Sequence, residues 1–139
     1  MTDTDATVAI ATPQRVVERY NYELWNEQKY DIAKDIMGAE VVRNTPGGRV
    51  VLTHDQAVQR VREFWASARD IQFTLLRIVA DDELCSIVYQ AEITKLDGTR
   101  DCVASLEVYR VADGRIVEVW NNSTYDHDHW PEFSGGVLS

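Results

Sequence analysis

The sequence predicts a single α+β domain, and two observations carry that reading. Helical periodicity and helix-capping signals are confined to the first half of the chain, while four long runs rich in β-branched and aromatic residues, parted by Asp-Gly turns, fill the second. Helices first and an antiparallel meander second put the helices on one face of the sheet. The 139 residues suffice for one domain with a real core. Hydrophobic residues at 45% and charged residues at 27% are the balance of a globular chain rather than a disordered one. With no repeat, low-complexity segment or linker, residues 12–126 read as the domain, 1–11 as a frayed lead-in and 127–139 as a C-terminal tail.

Thr12-Pro13 has the form of an N-cap followed by proline at the first helical position. Val17, Tyr20 and Leu24 then recur at helical spacing, with Val16 and Trp25 widening the stripe. A second helix is predicted over Tyr30 to Met37, ended by Gly38. Glu40 to Asn44 is a short extended stretch, and Thr45-Pro46-Gly47-Gly48 is a turn. Thr53 and Gln56 form a capping box ahead of a third helix, whose inner face is Ala57, Val61, Phe64 and Trp65.

The strands are predicted at Ile71 to Ala80, Leu84 to Lys95, Thr99 to Val111 and Arg115 to Tyr125, with hairpin turns at Asp97-Gly98 and Asp113-Gly114. If Lys95 pairs with Gly98, Glu92 opposes Asp101, Gln90 opposes Val103 and Val88 opposes Ser105, and Glu107 shares their face. The other face carries Ile87, Tyr89, Cys102, Ala104, Leu106 and, from the last strand, Ile116. That set is too apolar for water and predicts a homodimer. The second hairpin is open to two registers. A three-residue loop puts Asn121 on the face of Glu107; a two-residue Asp113-Gly114 turn puts Trp120 there, because a one-residue slip flips every side chain.

Several function classes are excluded by composition. The net charge of −9 argues against a nucleic-acid partner, since phosphate binding needs a basic face. No apolar run approaches the roughly 18 residues of a membrane span, and the acidic start is not a signal peptide. Cys85 and Cys102 fit neither a disulfide framework nor a zinc spacing and read as buried free thiols in a reducing cytoplasm. Asp126-His127-Asp128-His129 offers ligand pairs at i, i+2 in a terminal tail, which is not a closed metal site. No cofactor or metal is expected.

The order of elements, together with Val17-Glu18-Arg19-Tyr20, Glu40-Val41-Val42-Arg43-Asn44 and Gly114-Arg115-Ile116-Val117-Glu118-Val119-Trp120, resembles the SnoaL-like branch of the nuclear transport factor 2-like superfamily. The resemblance runs from about Pro13 to Asp126. It implies a cone-shaped, curved antiparallel sheet with three N-terminal helices enclosing a small-molecule pocket, and it favours the three-residue loop. Against the steroid delta-isomerases of that superfamily, Tyr20 matches the oxyanion tyrosine and Glu107 the sheet acid, while Asn44 stands at the base position. Against SnoaL-type polyketide cyclases, Asn121 takes the place of the acid/base aspartate. Against limonene epoxide hydrolases, Asn44-Thr45-Pro46 resembles the Asn-x-Pro segment, and Gln90 and Glu92 stand where an Arg-x-Asp pair is expected.

The resemblance and the register together nominate Glu107 and Tyr20 as catalytic residues and Asn44, Gln90, Glu92, Ser105 and Asn121 as substrate-binding residues. The expected ligand is a small, apolar, oxygenated molecule such as a polyketide, steroid or terpenoid. Two functions remain open at this point. One is an isomerase, cyclase or hydrolase working by general acid/base chemistry. The other is a non-catalytic binding or interaction domain that has lost its acid/base residues, as the amides at two carboxylate positions suggest.

Overall fold

A computed structural model describes residues 11–122 and 125–131; the predicted lead-in 1–11, apart from Ala11, and the tail beyond residue 131 lie outside the described residues. Helix α1 spans Pro13–Arg19, with the Thr12 hydroxyl accepting from Arg15 N at 3.2 Å. The chain continues as a wider, π-helical turn over Tyr20–Trp25, closed by Asn26 N donating to Asn21 O at 3.2 Å. The extra residue in that turn brings Asn21 onto the buried face beside Tyr20, Leu24 and Trp25. A short 3₁₀ turn, Tyr30–Ile32, leads into α2, Ala33–Ile36. The predicted second helix stops one residue early: strand β1, Met37–Thr45, begins at Met37, so Gly38 lies in a strand rather than at a helix end.

Strand β1 turns back through Pro46-Gly47, with Gly47 at φ 88°, into β2, Gly48–Thr53. Proline at the second turn position and glycine at the third suit a type II turn. Strand β2 was not foreseen because it is exposed along nearly its whole length and so lacks an apolar alternation. Helix α3, His54–Ala66, starts on the predicted capping box: Thr53 Oγ1 accepts from Gln56 N at 3.1 Å and Gln56 Oε1 from Thr53 N at 2.9 Å. It buries Ala57 and Val61, while Phe64 remains 49% exposed.

The remaining strands are β3, Ala68–Ala80; β4, Leu84–Lys95; β5, Arg100–Ala112; β6, Arg115–Asn121; and the short β7, Tyr125–Asp126. The curved, unclosed sheet runs β2-β1-β6-β5-β4-β3, with β7 paired to β5. All neighbours are antiparallel except β1 and β6, which run parallel.

Register decides which residues face the helices. The β4–β5 hairpin closes one residue later than the sequence suggested: Lys95 N donates to Thr99 O, and Gly98 sits at φ 89° inside the loop. Asp97 Oδ1 accepts from Thr99 N at 2.9 Å and fixes that loop. Glu92 therefore opposes Cys102, Gln90 opposes Ala104 and Val88 opposes Leu106. The inner face carries Ile87, Tyr89 and Ala91 of β4 against Glu107, Ser105 and Val103 of β5.

The β5–β6 hairpin uses the two-residue turn, with Asp113 at φ 52° and Gly114 at φ 75°. A bulge follows: Val111 pairs with Ile116 but Arg110 with Glu118, so Val117 is the extra residue. The bulge restores the parity that the tight turn would have lost, and Asn121 opposes Glu107. Gly38 lies against this bulge, where a Cβ would come within 3.2 Å of Val117 Cγ1.

Candidate functional site

A cavity of about 340 Å³ lies between the helices and the inner face of the sheet. Trp25, Ile71, Phe73, Ala91, Ile93 and Val103 make its apolar walls, and Phe64 and Arg60 of α3 stand on its exposed side. Rings pack in series along the wall: Trp25 against Phe73 at 4.9 Å, and Phe73 against Tyr89 at 5.7 Å between centroids.

The polar part is built around Glu107, which is 8% exposed. Its Oε2 accepts from Asn121 Nδ2 at 2.6 Å and pairs with Arg43 Nη2 at 3.3 Å. Its Oε1 accepts from the hydroxyl of Tyr109. Asn21 Nδ2 reaches the Tyr109 hydroxyl at 3.5 Å and Val17 O at 2.9 Å. Asn121 Nδ2 also lies 3.5 Å from the Tyr89 hydroxyl. Tyr20 closes the group, its ring edge-on to Tyr109 at 5.7 Å.

Burial and the adjacent Glu107 carboxylate push the Tyr89 phenol up to about 12. The same two causes hold Tyr109 well above the ordinary tyrosine value. Both phenols keep their protons at neutral pH; Tyr109 donates to Glu107, and the Tyr89 hydroxyl accepts from Asn121. Burial works against the charge of Arg43, but Tyr20, Glu107 and Tyr109 outweigh it and raise the guanidinium above its ordinary value.

Of the residues nominated from sequence, Glu107, Tyr20 and Asn121 meet at this cavity. Ser105 is buried on the same face and is a hydrogen-bond partner of the Tyr89 hydroxyl. Gln90 and Glu92 do not join them. The one-residue shift of the β4–β5 hairpin turns both to the outer face, where the 125–131 segment crosses. There Gln90 Oε1 accepts from Trp130 N at 3.3 Å, and Glu92 Oε2 lies 2.5 Å from His129 Nε2. Asn44 also points away: its Nδ2 donates to Glu118 Oε2 at 2.9 Å and its Oδ1 accepts from Arg49 Nε at 2.9 Å.

Arg43, Tyr89, Tyr109 and Asn21 belong to the site but were not nominated. Arg43 carried a readable signal, because it shares strand parity with Val41, which is 1% exposed. Tyr89 was hidden by the hairpin slip, and Asn21 by a π-helical turn that no spacing announces. Among the described residues, no group of three or more His, Cys, Asp or Glu side chains could hold a metal ion. Cys85 and Cys102 are buried free thiols, as expected.

A curved, unclosed sheet with helices on one face and a polar cluster in the cavity between them is a nuclear transport factor 2-like architecture. The chain belongs to the SnoaL-like domain family, whose model matches residues 17–119. A SnoaL-like polyketide cyclase from Agrobacterium tumefaciens superposes with a TM-score of 0.70 at 18% identity, over 83% of this chain and 92% of that one. Wild-type IdmH from Streptomyces antibioticus gives 0.68 at 21% identity, over 84% and 92%. An LEH-like epoxide hydrolase of M. tuberculosis gives 0.65 at 18% identity, over 78% and 79%. Identities this low establish a shared fold and nothing finer. No curated protein matches the chain.

Proposed function

We propose that this protein is a small-molecule enzyme of isomerase, cyclase or hydrolase type, using general acid/base chemistry on an apolar, oxygenated substrate. One observation carries the reading: a single carboxylate, Glu107, stands in an aromatic cavity with Arg43 and Asn121 on one of its oxygens. A substrate carbonyl placed beside it meets donors that can take up developing negative charge, while Glu107 exchanges a proton with the neighbouring carbon or oxygen. Tyr20 lines the same space and is the second catalytic candidate. The neighbouring structures point the same way by name, as a polyketide cyclase and an epoxide hydrolase.

A screen of apolar carbonyl compounds and epoxides for a rise in Tm identifies ligands, since binding to the native state stabilises it by mass action. With a substrate in hand, Glu107→Gln is expected to keep binding and lose turnover by about 10²–10⁴-fold, the usual cost of removing a general acid or base. Near-full turnover in that variant would refute the assignment.

The second reading, a binding domain without catalysis, is favoured by the saturation of Glu107: both its oxygens already accept hydrogen bonds from the protein. It gains if ligands bind tightly and none is turned over. We further propose that two copies associate through the outer sheet face.

A further inference from the structure

We infer that the ligand of this cavity carries an acidic group, a carboxylate or an equivalent anion, which Arg60 receives on the exposed side while the apolar body lies along Trp25 and Phe73. The inference rests on the reading of the cavity as a small-molecule site and names the class of molecule it takes.

The argument is one of charge balance. The chain has 23 acidic residues against 14 lysines and arginines. The cavity lining reverses that excess: its only charged residues among those described are Arg43, Arg60 and Glu107. Arg43 and Glu107 form an ion pair at 3.3 Å and offset one another. Arg60 is left over. It is half-buried on the inward side of α3, between Ala57 and Phe64, and its guanidinium lies 5.4 Å from the Phe64 ring centroid. No carboxylate among the described residues forms an ion pair with it, although most arginines here have one or a hydrogen-bonded partner: Arg15 and Arg19 with Glu23, Arg43 with Glu107, Arg49 with Asn44, Arg110 with Glu118.

The guanidinium is planar by its own delocalisation, and a cation–π contact with Phe64 holds it at the cavity with a fork of N–H donors suited to a bidentate carboxylate. The net negative charge of the molecule does not oppose this at the site, because exposed charges beyond about 8 Å are largely screened at physiological ionic strength. The occupant that completes the cavity is an amphipathic acid. Its acidic head meets Arg60, its flat apolar middle meets the rings, and an oxygen reaches the Arg43, Asn121 and Tyr89 donors.

The test is a fluorescence titration of the full chain with 6-hydroxy-2-naphthoate and with its methyl ester, which has nearly the same shape but no charge. The wild type is expected to bind the acid about tenfold more tightly than the ester, the scale of a hydrogen-bonded charge. Arg60→Gln is expected to erase that preference and leave ester affinity unchanged. Equal binding of acid and ester by the wild type, or a preference that survives Arg60→Gln, overturns the inference while the small-molecule reading stands. If neither probe binds, the inference falls, while the small-molecule reading is decided separately by the Tm screen of uncharged carbonyl compounds and epoxides.

Discussion

Glu107 is fixed by donors from three strands: Arg43 of β1, Tyr109 of its own strand β5 and Asn121 of β6. Removing a donor and removing the acceptor are therefore unequal changes. Arg43→Met leaves a buried carboxylate without its counter-charge and is expected to cost about 3 kcal/mol, near the lower end for breaking a buried pair. Glu107→Gln in turn leaves Arg43 without its counter-charge, but Arg43 is the more exposed partner and the amide keeps an oxygen that accepts, so it should cost less. Urea unfolding midpoints of the two variants, with unchanged slope, make the comparison. The phenols give a pH dependence. The folded protein holds Tyr89 up to about 12, against about 10 for an unfolded tyrosine. Because the folded value is raised, this contribution is intact below about pH 10 and declines as pH rises toward 12. Tyr89→Phe is expected to flatten the alkaline limb of the stability curve; an unchanged limb would mean that Tyr89 ionises in the fold as it does outside it. Tyr20, Glu107 and Asn121 line the cavity, and it was the family resemblance that singled them out, since strand parity alone left the face of Asn121 open. Gln90 and Glu92 were misplaced for the opposite reason: their parity hung on a single loop residue, Gly98.

At the scale of elements, the helices and long strands could be read because each has a cap or an apolar period, as at Thr12, Thr53 and along β3 to β5. What could not be read were the local insertions: the π-helical turn at Tyr20–Trp25 and the bulge at Val117. The two-residue turn and the bulge compensate, so Asn121 lies on the face of Glu107, where the three-residue loop would also have put it, and directly opposes Glu107. The 125–131 segment is an element that sequence gave no reason to place on the sheet. It pairs with Val103 and Ala104, and Trp130 Nε1 donates to Tyr89 O at 2.9 Å. His129 Nδ1 lies 3.5 Å from Cys102 Sγ. Burial first, then Glu92, Asp101 and Asp128, push that thiol up, so it should react slowly with a disulfide reagent at neutral pH. Trp130→Ala is expected to speed labelling of Cys102 severalfold by loosening the cover. Cys85, pushed up to about 11 by burial, should stay silent in both proteins. Equal labelling rates would show that the segment does not protect the thiol.

At the scale of the molecule, the proposed homodimer keeps its face but changes its residues. Ile87, Tyr89 and Ile116 point into the core, and Cys102 and Ala104 lie under the 125–131 segment. The apolar surface at the middle of the outer face includes Leu106, 43% exposed, and Trp120, 39% exposed, with Val88 and Val108 beside them. Sedimentation equilibrium at micromolar concentration is expected to return a dimer, and Trp120→Glu a monomer, because a charge at the centre of an apolar contact must be desolvated without a partner. A monomeric wild type would dispose of the proposal. Extensive treatment with chelator is expected to leave ligand affinity unchanged; a loss restored by zinc would contradict it.

The parallel pairing of β1 with β6 also has a consequence in time. Val42 pairs with Glu118 and Arg43 with Val119, contacts between stretches far apart in the chain. The β3–β4–β5–β6 meander can form from neighbours in sequence, but β1 reaches its place only by closing a long loop, and such non-local pairings form slowly. Arg43 arrives with β1, so the ion pair to Glu107 cannot exist before that step. In a refolding experiment, secondary structure should return ahead of ligand binding, because the pocket's charge pair is assembled by the last strand to dock.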